Sequence, residues 1–119
     1  MRLIVTRPQH DVTTRYLSSW AGEIIDFAEK KGIEVCDLVR EKANKTEFEV
    51  RVKKIKPEVV FLNGHGSDDR VTGHDNNVIV STEENHNILN DKITYALSCN
   101  SGKKLGPKVA ESGTAAYIG

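Results

Sequence analysis

Pro57-Glu58-Val59-Val60-Phe61-Leu62-Asn63-Gly64-His65-Gly66-Ser67 is a short apolar run bounded by a proline and a glycine, and it finishes on a histidine between two glycines. Glu58 to Leu62 is too short for a helix and has no polar alternation, so it reads as a buried parallel strand. A parallel strand needs crossover connections, and the flanking sequence supplies them. Upstream, Thr46 to Lys56 carries Phe48, Val50, Val52 and Ile55 among charges and leads into Pro57, which suits a helix, although its valine alternation also fits a strand. Ile33 to Val39 is β-branched and alternating, hence a strand. Asp11 to Lys31 places Tyr16, Leu17, Trp20, Ile24, Ile25, Phe27 and Ala28 mostly three and four apart, which predicts a helix capped by Asp11 or Thr13 and ended by Gly32. Tyr16 and Trp20, one turn apart, are read as core. Arg2 to Thr6 is a first strand, interior to the sheet and stopped by Arg7-Pro8.

Downstream lies a polar stretch, Gly64 to Asn77, then Val78-Ile79-Val80, then Ser81 to Asn90 with room for one helical turn. So long an excursion in a small domain points to function. Ile93 to Ser98 is a further strand. Gly102 to Ser112 is a helix interrupted by Pro107, with a late start equally compatible, and Thr114 to Ile118 is the last strand. Strands alternating with helices imply βαβ units, so the expected fold is α/β: a three-layer α/β/α sandwich around a mostly parallel sheet with a flavodoxin-like core.

The 119 residues suffice for one domain, taken as 1–119. Seventeen Lys and Arg balance seventeen Asp and Glu, which argues against nucleic acid and anionic membrane surfaces as partners. The apolar runs fall far short of the roughly 20 residues of a membrane span, and the N-terminus lacks a signal-peptide core, so a cytoplasmic protein is expected. In that reducing compartment Cys36 and Cys99 are not expected to pair. Cys36, inside a strand, is read as core.

In open α/β sheets ligands gather beyond the carboxyl ends of the strands. Two such ends carry chemistry. One is Asn63-Gly64-His65-Gly66, where glycines leave the imidazole exposed; the other is Leu97-Ser98-Cys99-Asn100. If the two strands are neighbours, the ring and the thiol come within reach of each other, the arrangement of an activated nucleophile. The N–H groups of Gly66 and Cys99 are candidates for the oxyanion hole.

An apolar strand followed by His-Gly and, some tens of residues later, an apolar strand ending in Ser-Cys resembles the caspase, gingipain and legumain clan of cysteine peptidases. Ser112 to Gly119 is similar to the segment that follows the cysteine in gingipain-like and CHAT-domain members. The resemblance covers roughly the second half of the chain. It implies a caspase-like fold, His65 as general acid/base, Cys99 as nucleophile and a peptide or protein substrate, with no cofactor. Two departures point to a compact relative rather than a true caspase: Cys99 is followed by Asn-Ser-Gly, and the His-to-Cys separation of 34 residues is shorter than the caspase spacing of about 50. Clan members usually extend past the fifth strand, so C-terminal elements of the full peptidase fold are expected to be lacking.

Asp68 and Asp69 are candidates for a substrate pocket that takes a basic side chain, or for calcium binding with Asp75, against the plainer reading of solvated acids. Asn63 is a further pocket candidate, as a shaper of the turn or an orienter of His65. His65, His74, His86 and Cys99 lack the spacing of a structural zinc site, so no metal is expected. Arg7-Pro8 resembles an anion-binding loop but has no Gly-rich phosphate fingerprint beside it. The competing function is a non-catalytic flavodoxin-like module that binds a ligand or partner at the same strand ends.

Overall fold

Side chains alternate across the first strand, and that alternation divides the core in two. In the computed structural model, which describes residues 1–98, 103–113 and 116–118, β1 (Arg2–Arg7) sends Leu3 and Val5 into one buried cluster and Ile4 into another. The first cluster is closed by α1 (Val12–Lys30) through Ala21, Ile25 and Ala28. The second is closed by α2 (Lys45–Ile55) through Phe48 and Val52, and by α3 (Leu105–Ser112) through Leu105 and Val109. The sheet itself runs β2 (Glu34–Val39), β1, β3 (Val59–Asn63), β7 (Ile93–Leu97), β8 (Ala116–Ile118), and every neighbouring pair in it is parallel. The chain is therefore mixed α/β on a parallel five-stranded sheet, with the 57–67 run supplying its central strand.

That order has a functional consequence. From β1 the chain moves outward to β2, then returns to β3 on the other side of β1 and proceeds the opposite way to β7 and β8. The connections after β1 and β3 consequently leave the sheet in opposite directions, which opens a crevice at their carboxyl ends. The loops that follow β1 and β3 meet there, through Asp11 and His65.

Sequence and structure differ in instructive places. Tyr16 and Trp20 are not core: they are 76% and 43% exposed. The buried stripe of α1 is Thr14, Ser18, Ala21, Ile25 and Ala28, because small residues let the helix axis lie close to the sheet while the aromatic stripe faces outward. The segment 46–56 resolves as the helix α2, capped by Asn44, whose side-chain oxygen accepts the Glu47 N–H at 2.9 Å. The 64–81 excursion is a second, antiparallel sheet: β4 (Gly66–Ser67), β5 (Arg70–Thr72) and β6 (Val78–Ser81). Its buried Val71, Ile79 and Val80 join the cluster under α2 and α3. Two-residue strands carry too little pattern to be read from sequence. α3 takes the late start, with Pro107 in its first turn, where a missing N–H costs nothing. Cys36 is half-buried against the second cluster, and burial pushes its thiol pKa up. Among the described residues, no helix is long and apolar enough to cross a membrane.

Candidate active site

β3 delivers His65 to the crevice through two glycines whose missing side chains are structural requirements. Gly64 has φ +153°, and a Cβ there would collide with the Thr72 carbonyl oxygen. A Cβ on Gly66 would collide with the Ser98 hydroxyl, so the start of β4 passes close by the residue that follows β7. The turn is held from both sides, since the Gly64 N–H donates to the Leu97 carbonyl at 3.2 Å and the Thr72 N–H and hydroxyl both donate to the His65 carbonyl at 2.8 and 2.7 Å.

The partner of the imidazole comes from the loop between β1 and α1, not from the histidine's own segment. Asp11 caps α1: its Oδ1 accepts the Thr14 N–H at 2.8 Å, and its own N–H donates to the Thr14 hydroxyl at 3.1 Å. The other carboxylate oxygen, Oδ2, lies 2.6 Å from His65 Nε2. The Thr14 N–H, the Thr14 hydroxyl and the His65 ring, in that order, hold the Asp11 carboxyl far below the usual carboxylate range. An ionised carboxylate only accepts hydrogen bonds, so Nε2 must carry a proton, and in the neutral ring the lone pair is then on Nδ1. One residue thus starts a helix and fixes a tautomer.

Two more histidines gather at the same place. His10 Nε2 lies 3.8 Å from Asp11 Oδ2, and the His10 ring stands edge-on to those of His65 and His74, with centroids 5.8 and 5.4 Å away. The 8–11 loop is tied to the 74–76 turn by the Gln9 N–H, which donates to His74 Nδ1 at 3.3 Å, and by His10 Nε2 against Asn76 Oδ1 at 3.3 Å. Sequence reading found neither His10 nor the second role of Asp11. The usable signal was an acidic helix cap directly after a strand that pairs with the histidine-bearing strand.

The remaining candidates have definite places. Asn63 is fully buried; its backbone N–H donates to the Thr6 hydroxyl at 3.2 Å and its side-chain amide to the Thr6 carbonyl at 3.1 Å. It ties β3 to β1 beneath the site, and a fully buried side chain cannot line a substrate pocket. Asp68 and Asp69 form the two-residue tip of the β4–β5 hairpin. The Asp68 carbonyl accepts the N–H groups of Lys104 and Leu105, both at 2.9 Å, and so anchors the start of α3. Asp69 is engaged by the Arg70 guanidinium at 3.0 Å and the Ser67 hydroxyl at 3.0 Å, which hold its pKa down at about 2. Its carboxyl signal should therefore titrate near 2 by NMR rather than near 3.8. A carboxyl depressed on folding stabilises above its unfolded pKa, so this contribution is present above about pH 4 and is lost as the pH falls through about 2. Arg7 is not free for an anion: its guanidinium forks onto Asp37 at 2.8 and 2.5 Å and donates to the Ser18 carbonyl at 3.1 Å. His86 is elsewhere, with Nδ1 3.0 Å from the Thr82 carbonyl oxygen.

Gly66 pairs with Val71 in the β4–β5 ladder. The Thr72-to-His65 bond makes the next pair the hydrogen-bonded one, and bonded and non-bonded pairs alternate. The Gly66 N–H is therefore turned away from β5. A shallow, mainly apolar groove of about 290 Å³ runs past the site, lined by Thr13, Leu17, Gly64, His65, Leu97 and Ser98. A wider hollow of about 610 Å³ lies away from it, between α2 and residues 84–92, with no residue of the 64–66 turn in its lining.

Cys99 lies outside the described residues. The strand before it does not: β7 is the hydrogen-bonded neighbour of β3, with Asn63 opposite Leu97. No protein-family model, curated protein or solved structure matches the chain.

Proposed function

We propose that the chain is a cysteine peptidase-type domain of the caspase-like clan, a three-layer α/β/α sandwich that cleaves peptide bonds with Cys99, His65 and Asp11. One observation carries the reading. β3 and β7 are parallel neighbours in a register that pairs Asn63 with Leu97, and in the sequence His65 comes two residues after the first and Cys99 two residues after the second.

In this reading Asp11 accepts the Nε2–H of His65 and so keeps the Nδ1 lone pair available. Nδ1 takes the thiol proton, and the Cys99 sulfur attacks the carbonyl carbon of the scissile bond. The resulting oxyanion is met by the N–H groups of Gly66 and Cys99. As the tetrahedral intermediate collapses, the C–N bond breaks and the amine leaves with the proton from Nδ1. Water then attacks the thioester, giving up a proton to Nδ1, and the carboxylic acid product departs as the thiol is restored. The apolar groove beside His65 and Leu97 suits a peptide segment more than a charged small molecule.

Alkylation mapped by mass spectrometry tests this directly. Cys99 is expected to react with iodoacetamide at about pH 5.5, where a thiol of ordinary pKa, about 8.5, is only about 0.1% ionised. A Cys99 that is silent at that pH would sink the peptidase reading in favour of a binding module.

A further inference from the structure

We propose that His10, Asp11 and His65 form a binding site for a divalent transition-metal ion of the zinc class. One ring nitrogen of each histidine and one Asp11 carboxylate oxygen lie within 4.8 Å of one another. Two imidazoles and a carboxylate are a donor set for zinc and its neighbours rather than for calcium or magnesium, which take oxygen ligands.

The spacing fits with small adjustment. Zinc bonds of about 2.0–2.2 Å in a tetrahedron put donor atoms roughly 3.3 Å apart. Asp11 Oδ2 lies 2.6 Å from His65 Nε2 and 3.8 Å from His10 Nε2, one gap shorter and one longer than that value. The short gap is a hydrogen bond, and an ion in place of its proton would widen it.

A second observation points the same way. The His10 side chain is only 9% exposed, yet its Nδ1 is buried with no hydrogen-bond partner. Buried polar atoms are normally paired, and a nearly buried imidazole with one nitrogen unused, on a ring that stands beside a carboxylate and another imidazole, is suited to a ligand's role. The site is also pre-assembled: Asp11 is fixed by the α1 cap, and the 8–11 loop by the Gln9 N–H bond to His74 Nδ1, while an ion on His10 Nε2 would replace that nitrogen's contact with Asn76 Oδ1. Three protein donors leave a fourth position open for water or another ligand.

Occupancy has a consequence that rests on the proposed role of His65. An ion at Nε2 displaces the ring proton, which the neutral imidazole then carries on Nδ1. With Nδ1 protonated, the ring cannot take the thiol proton. Metal binding and nucleophile activation are mutually exclusive uses of one imidazole.

Zinc titration of the full chain against a chromophoric chelator provides the test. One ion per chain is expected, with affinity reduced at least tenfold in His10→Ala and in Asp11→Asn, and unchanged within twofold in His86→Ala. His10 is buried, so its variant risks misfolding. Asp11→Asn guards against that, because asparagine caps helices as well as aspartate does. Failure to bind one equivalent of zinc at micromolar concentration would overturn the proposal. So would Asp11→Asn affinity equal to the wild type, or loss of binding in Cys99→Ser, which would assign the ion to the thiolate. Zinc should also slow Cys99 alkylation in the wild type and not in Asp11→Asn. If zinc binds as described while Cys99 is unreactive with or without it, the metal site stands and the peptidase reading falls.

Discussion

His65→Ala, made in a Cys36→Ser background, is expected to slow alkylation of Cys99 at about pH 5.5 at least tenfold. Loss of the imidazole removes the group that holds the thiol proton, and the thiolate fraction drops toward that of an ordinary thiol. The full change in ionisation is larger than tenfold, but a low-pKa thiolate is intrinsically the weaker nucleophile, and this takes back part of the gain. Asp11→Asn should cause a smaller loss in the same direction. Asparagine preserves the α1 cap but can turn a donor toward Nε2, which removes the preference for the tautomer with a free Nδ1. On a susceptible peptide, loss of the base should cost about 10²–10⁴ in turnover. Rates for both variants equal to the parent would show that the His65–Asp11 pair, bonded at 2.6 Å, does nothing for the thiol. The Cys36→Ser background matters because Cys36 is half-buried and its raised pKa would add a slow second signal.

Phe48→Ala is expected to lower stability by about 3–5 kcal/mol, a large share of the 5–15 kcal/mol typical of a domain. Phe48 is fully buried in the cluster that α2 closes against the sheet, with Ile4, Leu62 and Val80 among its members. Its ring fills space that smaller neighbours cannot reclaim, so the cavity term adds to the transfer term. Val50 is the informative control. In a strand Phe48, Val50 and Val52 would share one face, whereas in α2 Val50 turns outward and is 54% exposed. Val50→Ala should change stability by no more than about 0.5 kcal/mol. Urea denaturation monitored by far-UV circular dichroism reads both. Equal losses from the two substitutions would mean that residues 46–56 are not packed as a helix.

The apolar run 59–62 fixed a buried strand by itself, because four such residues between Pro57 and Gly64 have few other stable placements. The α1 helix was equally legible, and its cap was narrowed to Asp11 or Thr13, of which the structure takes Asp11, since capping is local chemistry between residues three apart. So was His65 as a candidate, because glycines on both sides of a histidine at a strand end let the backbone turn tightly where ligands gather in such sheets. The aromatic stripe of α1 misled, because periodicity shows that a helix has a face but not which face the sheet accepts. Small residues decided that, through a close approach no local pattern records. The antiparallel β4–β6 sheet was hidden in polar sequence for a similar reason: its short strands are held by pairing across the 64–81 excursion.

Sequence by itself determined the strands of the parallel sheet, the α1 helix and the histidine as a candidate. Only the tertiary structure decided what that histidine faces. His10 and Asp11 stand 55 and 54 positions before His65, and nothing in their spacing links them to it. They meet because β1 and β3 pair side by side where the strand order reverses, which brings the two following loops to one crevice. Secondary structure is encoded by near neighbours along the chain, whereas a site is encoded by which strands become neighbours in the sheet.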